Sequence, residues 1–168
     1  MNEKIRIYVA GPDVFRFDWG KKYFARMQQI TENQFPDFEL VFPVENGGNP
    51  TAESIALGNY QQLLSCDGLL GNVQAFRGAD ADAGTAFELG MAYAMGMPIA
   101  LYAADAHLSV IQKTMRLPLI NRNLQTFPNV EDFEHPVNLM LQYSDINAMV
   151  DFDCMDALAR LYHYFELK

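Results

Sequence analysis

Three carboxylates gather in a short run of the chain. R-G-A-D-A-D-A-G-T-A-F-E-L-G, residues 77–90, places Asp80, Asp82 and Glu88 beside Gly84 and Thr85, where an apolar helical pattern begins. Two kinds of chemistry fit such a run. In the first, T-A-F-E at 85–88 is a capping box, with Thr85 as N-cap, Glu88 as its reciprocal partner, and the aspartates favouring the positive end of the helix. In the second, one acid is ionised, reachable and aimed at an electrophilic carbon. A helix end stabilises an anion by only about 0.3–1 kcal/mol, rising to ~2 when partly buried. Burial can raise a carboxyl pKa by up to ~3–5 units, each worth about 1.4 kcal/mol. A buried, ionised Glu88 therefore needs a second donor. Tyr8, near the carboxyl end of the first apolar run, is a candidate, able to orient one oxygen and leave the other free.

Other chemistries find less support. The 168 residues suit one domain, 1–168, and are half hydrophobic and one-fifth charged. A net charge of −9 argues against a nucleic-acid partner, which requires clustered Lys and Arg, but not against an uncharged nucleoside. Cys66 and Cys154 lie far apart, as in a reduced cytoplasmic chain. His107, His135 and His163 have no metal-ligand spacing, and no metal or cofactor is expected. M-N-E-K-I-R-I lacks a signal-type apolar run, and no stretch reaches the length of a membrane span.

The elements that must position the acids can be read from the apolar periodicity. Strands are expected at 4–10, 38–43, 68–73, 98–102 and about 145–150. Helices are expected at about 18–33, 51–65 with Thr51 as cap, 85–96, 136–143 and 153–166. The segment 103–134 has no clear pattern. The small residues Gly90, Ala92, Ala94 and Gly96 suggest a helix packed close to a sheet. Alternating strands and helices imply an α/β fold: a flavodoxin-like, doubly wound, five-stranded parallel sheet of order 2-1-3-4-5 with helices on both faces. Ligands bind such sheets beyond the carboxyl ends of the strands. The loops G-P-D-V-F, V-E-N-G-G-N-P and Q-A-F-R-G-A-D-A-D-A-G-T fall at that edge.

R-G-x-x-x-D-x-G-T-A-F-E-x-G at 77–90 resembles the signature of the nucleoside 2-deoxyribosyltransferases. I-Y-V-A-G-P-D-V-F at 7–15, Asn59 eight residues before Asp67, and P-V-N-L-M at 136–140 are similar to further family segments, in the same order. The resemblance implies that Glu88 is a nucleophile attacking C1′ of a 2′-deoxynucleoside, with a second nucleobase then taking the sugar from the enzyme. It implies that Asp82, six residues earlier, is the acid or a base-binding group. Phe15 would stack on the base, Gly11 and Gly78 would belong to the substrate site, and Asn59 would meet the base edge. Some relatives carry Asp at that position; Asn59 cannot titrate, which shifts proton transfer toward Asp82. Asn138 and Met140 would come from a neighbouring subunit, making the enzyme a homo-oligomer. Arg77 is expected to hold its loop through a carboxylate, and Asp67 to serve the turn into the third strand. Two alternatives stand beside this reading: a 2′-deoxynucleoside 5′-monophosphate N-hydrolase using the same glutamate, and a non-catalytic nucleotide-binding module.

Overall fold

The computed structural model describes residues 3–43, 51–117 and 129–166. Five parallel strands form one sheet in the order β2-β1-β3-β4-β5: β1 Ile5–Ala10, β2 Phe38–Val41, β3 Gly68–Asn72, β4 Ile99–Tyr102 and β5 Val150–Asp151. Among the described residues the helices are α1 Lys21–Gln34, α2 Ala52–Leu64, α3 Ala83–Ala94, α4 Val110–Met115, α5 Leu139–Gln142 and α6 Cys154–Glu166. A single 3-10 turn, Pro12–Phe15, follows β1. The expected loop 44–50 and part of the unpatterned segment, 118–128, lie outside the described residues; α4 falls within that segment.

Strand alternation divides the core. Tyr8, Ala10, Leu69 and Leu101 point to one face and pack with Leu63 of α2 and with Leu89 and Ala92 of α3. Ile7, Val9, Leu70 and Ala100 point to the other and pack with Met27 of α1 and with Leu158 and Leu161 of α6. Both faces of the central strands are covered, which explains why their sequences are continuous apolar runs.

Several boundaries differ from expectation. Helix α1 starts at Lys21, not Asp18, because Trp19 and Gly20 adopt positive φ, 57° and 76°, and turn the chain before the helix. The helix expected over 136–143 is one turn, with Asn138 as its N-cap. The fifth strand pairs only at Val150 and Asp151. Asp145, expected inside it, accepts hydrogen bonds from Leu101 N and from both Arg160 Nη atoms instead. Arg160 also pairs with Asp151 at 2.7 Å, so α6 clamps the sheet edge through one guanidinium. Of the small residues in α3 and just after it, only Ala92 is buried, whereas Gly90, Ala94 and Gly96 face outward. The close approach is made from the sheet side: a Cβ on Gly71 would lie 2.9 Å from Leu101 and 3.1 Å from Leu89.

Candidate active site

Helix α3 begins earlier than its capping pattern suggests. Its N-cap is Asp82, whose Oδ2 accepts from Thr85 N at 3.0 Å and from Thr85 Oγ1 at 3.2 Å. Thr85 is therefore the third helical residue and not the cap. D-A-G-T at 82–85 competes with T-A-F-E for the same helix end, and the aspartate wins. The shift moves Glu88 into the second turn, where the helix macrodipole gives little help to an anion.

Support for Glu88 comes from the sheet instead. Tyr8 is fully buried in the middle of the α3-facing core, and its hydroxyl donates to Glu88 Oε1 at 2.7 Å. Among the described residues the carboxylate makes no other hydrogen bond, which leaves Oε2 for a ligand. Burial pushes the Glu88 pKa up from an ordinary 4.5 to about 7; the Tyr8 hydrogen bond opposes that rise, and the nearby Asp82 charge adds to it. The Tyr8 hydroxyl is itself held far above its ordinary range by burial and by Glu88, so it remains a donor. The result is a carboxylate half ionised near neutrality, one oxygen fixed and one free.

Glu88 lines a cavity of about 280 Å³ at the carboxyl edge of β1 and β2, together with Gly11, Phe15, Asn59, Asp82 and Thr85. The described lining carries two carboxylates and no Lys or Arg. Phe15, half exposed, is cavity wall and not core. Its ring stacks on Phe76 at 5.2 Å between centroids, 22° from parallel. Arg77, with φ 55°, lays its guanidinium 5.0 Å from the Phe15 ring and 4.5 Å from Phe76. Arg77 thus braces an aromatic wall by cation–π contact. Among the described residues no carboxylate holds it, and Asp82 is turned to the helix end. Asn59 sits on α2 facing the cavity, and its amide has no partner among the described residues.

Other sequence-predicted residues are not part of this cavity. Gly78 is exposed and a Cβ there would meet nothing within 4 Å. Asn138 Oδ1 accepts from Met140 N at 2.9 Å, its Nδ2 donates to Glu131, and Met140 is 73% exposed. Asp67 has the expected turn role, with its Oδ2 accepting from Arg6 N at 2.8 Å. Val14 of the G-P-D-V-F loop also lines the cavity, as do Trp19, Pro43 and Ile55, which carried no motif of their own. The chain's only Trp, set in the aromatic run F-R-F-D-W before α1, was the available signal for Trp19. A larger cleft of about 340 Å³ lies between α1 and α6, lined by Arg16, Tyr23, Tyr102 and Cys154, and contains neither Asp82 nor Glu88. Among the described residues no three His, Cys, Asp or Glu side chains gather as metal ligands, and no helix is long and apolar enough to cross a membrane.

Comparison with known proteins gives this geometry a family. A search of curated proteins finds no match. Among solved structures, a 2-deoxyribosyltransferase from Leishmania mexicana superposes with a TM-score of 0.77 at 28% identity, covering 95% of this chain and 97% of the other. A conserved protein from Enterococcus faecalis V583 gives a TM-score of 0.58 at 24% identity, covering 93% and 96%. A 2-deoxyribosyltransferase from Bacillus psychrosaccharolyticus gives 0.54 at 20%, covering 90% and 88%. The last two are likenesses of fold alone. The family model for nucleoside 2-deoxyribosyltransferase matches residues 7–140, a span that includes Tyr8, Gly11, Phe15, Asn59, Asp82 and Glu88, and the chain accordingly belongs to that family of transferase enzymes.

Proposed function

We propose that this enzyme transfers 2-deoxyribose between nucleobases by a retaining double displacement, with Glu88 as the nucleophile. The observation that carries the reading is the Tyr8–Glu88 pair at 2.7 Å, opening on a cavity with one carboxylate oxygen unclaimed among the described residues. In the first step Glu88 Oε2 bonds to C1′ as the C1′–N bond breaks, and the bonding pair leaves with the base. The anomeric centre passes through an oxocarbenium-like state that a carboxylate on the opposite face stabilises and then captures. In the second step the nitrogen of an incoming base displaces Glu88, and two inversions give net retention. Phe15 stacks on the base, and Gly11 lets the substrate lie close to the backbone. Asn59 offers both a donor and an acceptor to the base edge. Asp82 Oδ2 is committed to the helix end, so Oδ1 is the atom available to the departing base, as proton donor or hydrogen-bond partner.

The absence of Lys and Arg from the described lining suits a neutral nucleoside better than its 5′-phosphate. A homo-oligomer completes the site: Asn138 and Met140 of a neighbouring subunit approach the sugar, the amide toward the 5′-hydroxyl. Their absence from the lining of the chain's own cavity and the exposure of Met140 support this reading. Such an enzyme serves base exchange in nucleoside salvage.

Incubation with 2′-deoxyinosine and cytosine tests the reaction. Deoxycytidine forms, and hypoxanthine release slows sharply when no acceptor is present. Intact-mass analysis after a slow 2-fluorinated deoxynucleoside finds the adduct on Glu88. Inverted stereochemistry, or an adduct on another residue, refutes the double displacement.

A further inference from the structure

The aromatic wall of the cavity stands on a buried polar contact that none of the catalytic roles uses. Asp13, in the 3-10 turn between β1 and α1, is 3% exposed, and Asn72, at the end of β3, is 2% exposed. Asn72 Nδ2 donates to Asp13 Oδ2 at 2.7 Å, and Arg16 Nε donates to Asp13 Oδ1 at 2.7 Å. Both carboxylate oxygens therefore accept a hydrogen bond. Asn72 is fixed in turn, because its Oδ1 accepts from Gln74 N at 3.2 Å. The packing around the contact is tight. A Cβ on Gly11 would fall 2.7 Å from Asn72 Cβ and 3.3 Å from Asp13 Oδ2, and one on Gly20 would fall 2.7 Å from the Asp13 carbonyl. Gly11, Val14 and Phe15, the residues around Asp13, line the cavity.

We propose that Asp13 is a positioning residue for nucleoside binding: its buried carboxylate ties the turn 11–15 to the end of β3 through Asn72 and so sets the plane of the Phe15 ring and the depth of the Gly11 backbone. The proposal rests on the nucleoside reading of the cavity. Asp13 touches no reacting atom. It acts through the wall, so its loss weakens substrate binding more than it slows bond breaking.

The chemistry of the contact supplies a reciprocal test. The amide introduced by Asp13→Asn has one acceptor and one amino group, whereas Asn72 and Arg16 both present donors. Asp13→Asn therefore sets an N–H against an N–H in either amide orientation, unless Asn72 turns and abandons Gln74. Adding Asn72→Asp restores the pairing with its polarity reversed. The new carboxylate on β3 accepts from the new amide and from Gln74 N, while the carbonyl oxygen of that amide accepts from Arg16.

Steady-state kinetics with 2′-deoxyinosine and cytosine, thermal melting, and emission from Trp19 are measured on wild type, both single variants and the double variant. Trp19 is the chain's only tryptophan and lines the cavity, so it reports nucleoside binding without turnover. Asp13→Asn is expected to raise KM, and the Kd for 2′-deoxyinosine read from Trp19, about ten-fold, the size of one disrupted buried hydrogen bond, while kcat changes less than about three-fold. The double variant is expected to return both constants to within about three-fold of wild type, a coupling that independent sites would not show. A lower melting temperature with unchanged KM and Kd overturns the proposal and leaves Asp13 a stability residue only. Recovery of melting without recovery of KM overturns it too. If Asp13→Asn fails to fold, Asn72→Ala carries the same expectation, and failure of both to fold overturns the positioning role. Normal transfer by wild type with unaltered KM in the variants sinks this proposal alone. A wild-type protein that neither binds nor turns over the nucleoside sinks the functional reading and this proposal together.

Discussion

Replacing Tyr8 by Phe removes one hydroxyl, and with it the described hydrogen bond to Glu88, from a fully buried position. The bond is 2.7 Å long and opposes the rise that burial imposes on the Glu88 pKa. A hydrogen bond to a charged group contributes about 1.5–3 kcal/mol, which corresponds to ~1–2 pKa units. Starting from about 7 in the wild type, the Glu88 midpoint moves in Tyr8→Phe to roughly 8–9. The ionised fraction at pH 7 then falls from about one half to between roughly one tenth and one hundredth, and kcat/KM for 2′-deoxyinosine drops about 5- to 50-fold. The deficit is not uniform. By about pH 9.5 most of Glu88 is ionised in both proteins, and the two rates converge. The assay is kcat/KM from pH 5 to about 9.5, which reports the free enzyme's ionisations. An equal loss at every pH with an unmoved midpoint refutes the claim that Tyr8 acts by holding Glu88 ionised. A midpoint that moves down refutes the Tyr8 hydroxyl as a donor to the ionised carboxylate, and a wild-type midpoint near 4.5 refutes burial as the dominant force on it.

Glu88→Gln abolishes transfer, with a loss on the order of a thousand-fold or more, as expected for removal of a nucleophile. Its stability changes in the opposite direction. The folded protein holds the Glu88 proton more tightly than the unfolded chain does, so this group's contribution is fully present below about 4.5 and is lost as pH rises to about 7. Gln never ionises, so its stability advantage over wild type, followed by thermal melting, grows across that window and then levels, at up to about 3 kcal/mol; a flat difference across the window refutes the raised pKa. Asp82→Ala loses about 1 kcal/mol of helix capping and Asp82→Ser recovers most of it, by thermal melting, but activity stays low in both if Oδ1 serves the leaving base. Phe15→Ala raises KM about 2- to 12-fold through lost stacking, with kcat little changed, by steady-state kinetics.

The sheet was legible because its strands are buried on both faces and read as uninterrupted apolar runs. The order 2-1-3-4-5 then followed from the handedness of the crossovers. Helix starts were less legible, since they depend on which of several capping residues wins. Asp82 and Thr85 are both good N-caps, and local pattern alone does not rank them. That choice matters, because it decides whether Glu88 sits at the helix end or one turn inside against Tyr8. Tyr8 and Glu88, 80 residues apart, are linked by the need of a buried, charged acid for a donor. No such need marks Arg77 over Phe15 and Phe76, or Asp13 under the same wall. Those contacts are set by the path of loops between elements, and apolar periodicity carries no information about them.

The guanidinium clamp on the sheet margin has a consequence for how the protein behaves in crowded solution. A free β margin recruits other chains in proportion to the length of unsatisfied backbone it displays. Here β5 offers two residues, and Arg160 pins them from the side through Asp145 and Asp151 instead of through a long ladder. Cutting that tether with Arg160→Met would release the strand and leave two carboxylates without their cation, exchanging a guarded flank for a sticky one.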